Sequence, residues 1–308
     1  MESVEKEGSK DWPPTVKSAI NEKRFFIMSK FSIPKTYKLF IGGKFPRTES
    51  GRILAVTGPK GDFLTNISRA SPKDFRNSVV AARKASGGWA NASAYLKGQI
   101  LYRIAEILDG RAEQFEQEMT LQGVSSVAAK KDIAAAIDLL VHYAGWSDKY
   151  QQLFSTVNPV SSPHFNFSVP EPSGVVAVVS PSDGSLAGLV SAMAPVLVGG
   201  NTTIILVSGN PLSAISFAEV LATADVPAGV VNILTGQRDE LVSVFARHMD
   251  VNALLLCSNS AKERKTAELE AVENLKRVIC QPDAQVPQGP YHILDFQEIK
   301  TTWHPVGL

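Results

Sequence analysis

The chain has 308 residues, 44% of them hydrophobic, and a formal net charge of +1. That is enough apolar material for a full core in one large or two smaller domains, and near-neutrality excludes a broad electrostatic pull toward nucleic acid or anionic membrane. Two cysteines, Cys257 and Cys280, exclude a disulfide scaffold, and no apolar run reaches the roughly 18 residues of a spanning helix without a Gly or Pro break. The acidic, polar start is unlike a signal or transit peptide, so the expected compartment is the cytoplasm.

Residues 1–36 mix charges with Pro13-Pro14 and a small apolar patch, and read as a tail or linker. Residues 37–45 and 51–56 predict an opening hairpin turning at Gly42-Gly43, with another short strand over 63–70. Ser71-Pro72-Lys73-Asp74 starts a helix, with Ser as N-cap, Pro at the first position and an acid in the first turn; Gly87-Gly88 are expected to stop it. Helical spacing of Leu96, Ile100, Leu101, Ile104, Ile107 and Leu108 predicts one long helix over 94–122, and an Ala-rich helix follows over 125–150. Residues 151–172 alternate, carry four prolines and place Phe165 and Phe167 as on one strand face.

The stretch 169–232 organises the rest. Val175–Val179 is a β-branched run suited to a strand covered on both faces. After the turn 181–185 comes a buried helix over 186–197, closed by Gly199-Gly200-Asn201. Residues 202–207 form a second strand, 211–224 a helix with Pro at its first turn, and 230–234 a third strand. Strand, helix, strand, helix, strand with short connections predicts an α/β doubly wound parallel sheet. Residues 261–272 read as a charged helix whose charges form a solvated face. Residues 280–290 are polar and Pro-rich, a linker.

The order GVVAVVSP, GGNTT, NPLSA, VPAGVVNILTG and RHMDVNALL resembles the Rossmann-like cofactor domain of aldehyde dehydrogenases. The likeness reaches back to YKLFIGG at 37–43, forward to ENLKRV at 273–278, and includes LDFQEIKTTWHPVG at 294–307. Within that superfamily the chain resembles the truncated second unit of family sixteen. The resemblance implies a cofactor-domain fold over 37–150 and 173–279. It also implies a small β oligomerisation arm from 151–172 and 291–308, with 280–290 replacing the catalytic domain.

The same resemblance marks where chemistry belongs. The nucleophilic cysteine falls in the replaced region; Cys257 and Cys280, each at the end of an apolar run, read as packing residues. The general base aligns with Gln281, an amide, with Asp283 two residues on. The oxyanion-donor turn reads Pro181-Ser182-Asp183, where Asp183 is a turn or N-cap residue. The ribose-holding Lys and Glu align with Leu206 and Gly209. The Gly-rich phosphate turn keeps Gly236 but has Arg238, and a Gly-Ser pair becomes Ser258-Asn259. Gly174, Pro195, Gly200, Asn201, Pro227, Gly229 and Asn232 are retained, and serve turns, caps and packing.

No catalytic residue and no metal site is assigned, and NAD is expected to bind weakly or not at all. The expected role is association, through the arm, with itself or with a full-length aldehyde dehydrogenase-like chain. The alternatives are an NAD-dependent oxidoreductase that borrows a catalytic domain from a partner chain, and a functionless truncated product.

Overall fold

The computed structural model describes residues 35–307; the segment read as a tail lies outside them, its last two residues apart. The five parallel strands β5 (Val175–Val179), β6 (Thr202–Val207), β7 (Val231–Thr235), β8 (Ala253–Cys257) and β9 (Arg277–Gln281) stand in the order β7-β6-β5-β8-β9. The strands run outward from β5 in both directions, so the switch point lies between β5 and β8. β5, β6, β7 and β8 are buried along their whole length because helices cover both sheet faces. Alternate residues feed two cores. Val176, Val178, Ile205, Ile233 and Leu255 pack with α2 (Ala94–Gly110), α4 (Ser126–Ala144), α6 (Leu186–Val198) and α7 (Pro211–Thr223). Val175, Ala177, Ile204, Leu234 and Leu254 pack with α1 (Pro72–Ala90), α8 (Arg238–Arg247) and α9 (Ala261–Ala271). The α/β doubly wound reading of the sequence therefore holds.

Several expected elements differ in detail. The first antiparallel pair is β1 (Ile53–Thr57) with β2 (Phe63–Ser68), not 37–45 with 51–56. Gly42 and Gly43 do make a tight turn, at φ 60° and 74°, but Phe40 runs antiparallel beside Ile233 of β7 and caps that sheet edge. α1 begins in the expected capping box of Ser71 and Asp74 yet runs through Gly87-Gly88 to Ala90. Its last turn is held by Trp89, which is buried and donates its indole N–H to the Leu197 carbonyl at 3.1 Å. The expected helix over 94–122 breaks at Gly110-Arg111 into α2 and α3 (Ala112–Leu121); the Arg111 guanidinium is drawn to Glu219 on α7, 2.7 Å away. The third helix ends at Ala144, and a separate turn of helix, α5 (Tyr150–Phe154), follows.

A three-stranded sheet in the order β10-β4-β3 unites β3 (Thr156–Asn158), β4 (His164–Pro172) and β10 (Gln297–Pro305), the last preceded by the short α10 (Tyr291–Leu294). Val306 N–H donates to the Pro163 carbonyl at 3.0 Å and Ser173 N–H to the Phe296 carbonyl at 3.1 Å. Antiparallel bonding alternates, so these two bonds fix the ladder: β4 bonds to β10 through its odd-numbered residues. Pro170 and Pro172 therefore turn their missing donors away from β10, where they cost the ladder nothing. Cys280 and Gln281 belong to β9, and the following segment is pinned by buried Val286, whose N–H donates to Ser191 Oγ at 3.0 Å.

The retained Gly and Asn residues act as the sequence implied. Asn201 Oδ1 accepts from Gly174 N–H at 2.8 Å while its Nδ2 reaches the Phe296 carbonyl. Asn232 joins Gly42, Thr203 and Gly229 in the same manner. Among the described residues no helix is long and apolar enough to cross a membrane.

Candidate functional site

In an open parallel sheet, ligands bind beyond the carboxyl ends of the strands at the switch point. A cavity of about 550 Å³ opens there, walled by Leu54 and Ile67 of the β1–β2 hairpin, Val207 at the end of β6 and Ser208 after it, Pro211 at the start of α7, and Arg238.

Arg238 governs this crevice. Gln237 and Arg238 open α8 directly after β7, which aims the arginine side chain back across the strand ends. Its Nη1 donates to the Ser180 carbonyl after β5 at 2.8 Å, and its Nη2 to the Cys257 carbonyl closing β8 at 2.7 Å. It thus spans the switch point. Nε and Nη2 also meet the Glu263 carboxylate at 3.2 and 2.9 Å, and Ser258 Oγ donates to the same carboxylate at 2.6 Å. The Arg238 hydrogen bonds hold the Glu263 carboxyl below the ordinary carboxylate range. Glu263 lies in the first turn of α9, on the helix whose charges were read as a solvated face; for this residue that expectation is wrong. Its i to i+5 spacing from Ser258 gave no signal without knowing where Arg238 points.

The other side of the crevice is closed by backbone. Gly209 has φ 76° and Gly184 φ 67°. A Cβ on Gly209 would overlap the Ser182 carbonyl, and one on Gly184 would overlap the Asn210 amide. The loops after β5 and β6 touch main chain to main chain, so position 209 admits no side chain. Leu206 is wholly buried on the α1/α8 side of the sheet. Gly236 lies between Leu241 and Leu206.

Asp183 is a turn residue, as expected: its Oδ1 accepts from Ser185 N–H at 3.0 Å. The N-cap of α6 is Ser185, and a second cap comes from Asp132 of α4, whose oxygens accept from Leu186 and Ala187 N–H at 2.7 and 3.1 Å. Burial raises the Asp132 carboxyl despite those two bonds. Asp283 is committed to the turn as well, taking Ser182 N–H at 2.7 Å and the Ser182 hydroxyl, while its own N–H reaches Asn259 Oδ1. Gln281 pairs with Cys257 at the strand ends.

The two thiols sit on adjacent strands but on opposite faces of the sheet, because Cys280 is level with Leu256 and Cys257 with Gln281. Burial pushes the Cys257 thiol up to about 12 and also raises Cys280. Among the described residues no group of three His, Cys, Asp or Glu side chains could hold a metal ion.

A dinucleotide needs free donors for its pyrophosphate and an acid for its ribose. Here the guanidinium is committed to two carbonyls and a carboxylate, position 206 is a core leucine and position 209 is steric glycine. These residues do not fit that cofactor.

Residues 46–286 match the family model described as the aldehyde dehydrogenase family. The chain is 29% identical over 268 residues to the cytosolic 10-formyltetrahydrofolate dehydrogenase of Mus musculus, covering 84% of this chain and 30% of that protein. It is 29% identical over 275 residues to an aldehyde dehydrogenase of Aspergillus niger, covering 88% and 54%. Among solved structures, the NAD+ complex of an aldehyde dehydrogenase from Bacillus cereus superimposes with a TM-score of 0.75 at 26% identity, over 88% of this chain and 53% of that one. The chain thus spans about half the length, or less, of these relatives.

Proposed function

From the premise that this chain belongs to the aldehyde dehydrogenase family, we propose that it is a non-catalytic member acting through association, by way of the β10-β4-β3 sheet. The observation that carries this reading is the Arg238–Glu263 pair laid across the ends of β5 and β8, where a ligand of such a fold would rest. A thiolate nucleophile and a carboxylate base are what aldehyde oxidation requires. Cys257 is buried with its thiol strongly disfavoured from ionising, Gln281 is an amide, and Asp283 is tied to Ser182.

Calorimetric titration with NAD+, alongside an assay for aldehyde-dependent NADH formation, tests the proposal. No saturable heat at millimolar NAD+ and no NADH are expected. Micromolar binding, or turnover by the purified chain, overturns it.

A further inference from the structure

β10 is an edge strand with a self-complementary outer side. Its even-numbered residues bond to β4, so the N–H and C=O groups of Ile299, Thr301 and Trp303 point away from the sheet. The Gln297 carbonyl points the same way and is already taken by Arg277 Nη1 at 2.9 Å, which agrees with that parity. Ile299 and Trp303 are 59% and 58% exposed on one face of the strand. Long edges carrying exposed apolar side chains are templates for another strand.

We infer that β10 pairs antiparallel with β10 of a second copy, centred on Thr301, to make one six-stranded sheet across a two-fold axis. This deepens the association reading above and rests on it. Only outward-facing residues can bond across such an axis, and centring on Thr301 sets Thr301 opposite itself and Ile299 opposite Trp303 of the second copy. All three bonded positions then have both a donor and an acceptor. On the apolar face, each Ile–Trp pair is a favourable cross-strand contact, made twice by symmetry. On the other face Glu298 comes opposite His304 of the second copy, also twice, and Lys300 comes opposite Thr302.

The neighbouring registers are worse. Sliding one way sets Lys300 opposite Lys300 of the second copy, a like-charge pair at the close, non-bonded spacing. Sliding the other way sets Lys300 opposite His304 and brings Pro305, which has no donor, in from the end of the seam to face Ile299, so two fully bonded positions remain instead of three. One register satisfies hydrogen bonding, charge and packing together.

The test uses the full chain with Cys280→Ser, since Cys257 is buried, and compares Thr301→Cys with Thr302→Cys under mild oxidation, with light scattering for mass. The expected result is a covalent dimer with Thr301→Cys and none with Thr302→Cys, whose two copies would stand beyond disulfide reach. Thr301→Pro, which removes an outward donor and spares the ladder to β4, should yield monomer. Crosslinking through Thr302→Cys in place of Thr301→Cys overturns the register. A dimer that survives Thr301→Pro and does not crosslink at 301 overturns β10 pairing while leaving association standing. A wild-type chain that stays monomeric at high concentration overturns both.

Discussion

Arg238 and Glu263 face each other over the carboxyl ends of β5 and β8, joined by two contacts of 2.9 and 3.2 Å. Removing either partner leaves a partly buried charge without its counterion. Arg238→Ala or Glu263→Ala is therefore expected to lower unfolding free energy by about 2 kcal/mol, measured as a fall in the urea midpoint. The double substitution should lose less than the two single losses together, since the residues share one interaction. Because Arg238 depresses the Glu263 carboxyl, the stabilisation is present above the ordinary carboxylate range and is lost as pH falls through the folded value. The gap between wild type and Glu263→Gln should accordingly shrink on acidification. A gap that widened instead would mean the pair does not hold that carboxylate ionised.

Gly209 is required by space as well as by dihedral angle. At φ 76° its missing Cβ would fall on the Ser182 carbonyl, and that carbonyl belongs to main chain fixed by the Asp283 contacts. Gly209→Ala should cost about 2–3 kcal/mol, read from thermal or urea unfolding. Gly51 offers a control: its φ is 69° but nothing lies within 4 Å of the added atom. Gly51→Ala should cost only the backbone strain, about 1 kcal/mol. Equal losses at the two sites would place the whole effect in the backbone and none in the loop contact.

The central strands and helices were legible because burial on both faces leaves a plain trace in sequence: Val175–Val179, Thr202–Val207 and Val231–Thr235 are apolar runs bounded by Gly, Asn and Pro. Gly110 is the local mark of the helix break at Gly110-Arg111, but the contact of Arg111 with Glu219, more than one hundred positions away, leaves no trace in the local sequence. The early hairpin was misread for the same reason: Phe40 finds its partner in Ile233 of β7 instead of in its neighbours. At the crevice, Asp183 showed itself as a turn residue by local chemistry alone. Arg238 could be flagged only as a departure from a pattern. Its meeting with Ser180 after β5, Cys257 at the end of β8 and Glu263 in the first turn of α9 is made by the fold, and no local signal carries that.

The two thiols should respond differently to a disulfide reagent. Cys257 is fully buried, with its thiol pushed up to about 12, while Cys280 is only partly covered. The reactive species is the thiolate, so near pH 8 native protein should release at most one equivalent, and that slowly. Cys280→Ser should abolish native labelling, and urea should expose Cys257 in the same sample. Fast labelling of Cys257 in the folded chain would restore it as a candidate nucleophile.

Lys276 is a buried basic group with no carboxylate partner among the described residues. Its ammonium donates to the carbonyls of Phe245 and His248 at 3.2 and 2.7 Å, closing the end of α8, and burial pulls it down to about 8. The unfolded chain then binds the proton more tightly than the folded one between that value and the ordinary lysine range. Stability from this group should therefore rise with pH across that window. Compared with Lys276→Met, wild type should gain about 1–2 kcal/mol between about pH 7 and about pH 9.5. A pH-independent difference in melting temperature would show that Lys276 keeps an ordinary affinity for its proton.

Phe165 and Phe167 lie two residues apart on one face of β4, rings 5.6 Å apart, beside a shallow apolar hollow that Val157 and Val169 help to line. The opposite face of the same strand carries Asn166 and Ser168, where Asn158 Nδ2 bonds both at 2.6 and 2.8 Å. That face also carries the exposed Trp303 of β10, so the sheet leaves large apolar side chains uncovered on both faces, the reverse of what a solvated monomer needs. Phe165→Asp with Phe167→Asp should leave the circular dichroism spectrum and the unfolding midpoint nearly unchanged, since neither ring is in the core. Light scattering then separates the edge of this sheet from its face: β10 pairing leaves Phe165 and Phe167 on the inner strand, away from the seam, so the mass should stay that of two chains. A fall to the mass of one chain with an intact fold would place the contact on the aromatic face, where the carboxylates would have to be desolvated, and would overturn pairing through the β10 edge.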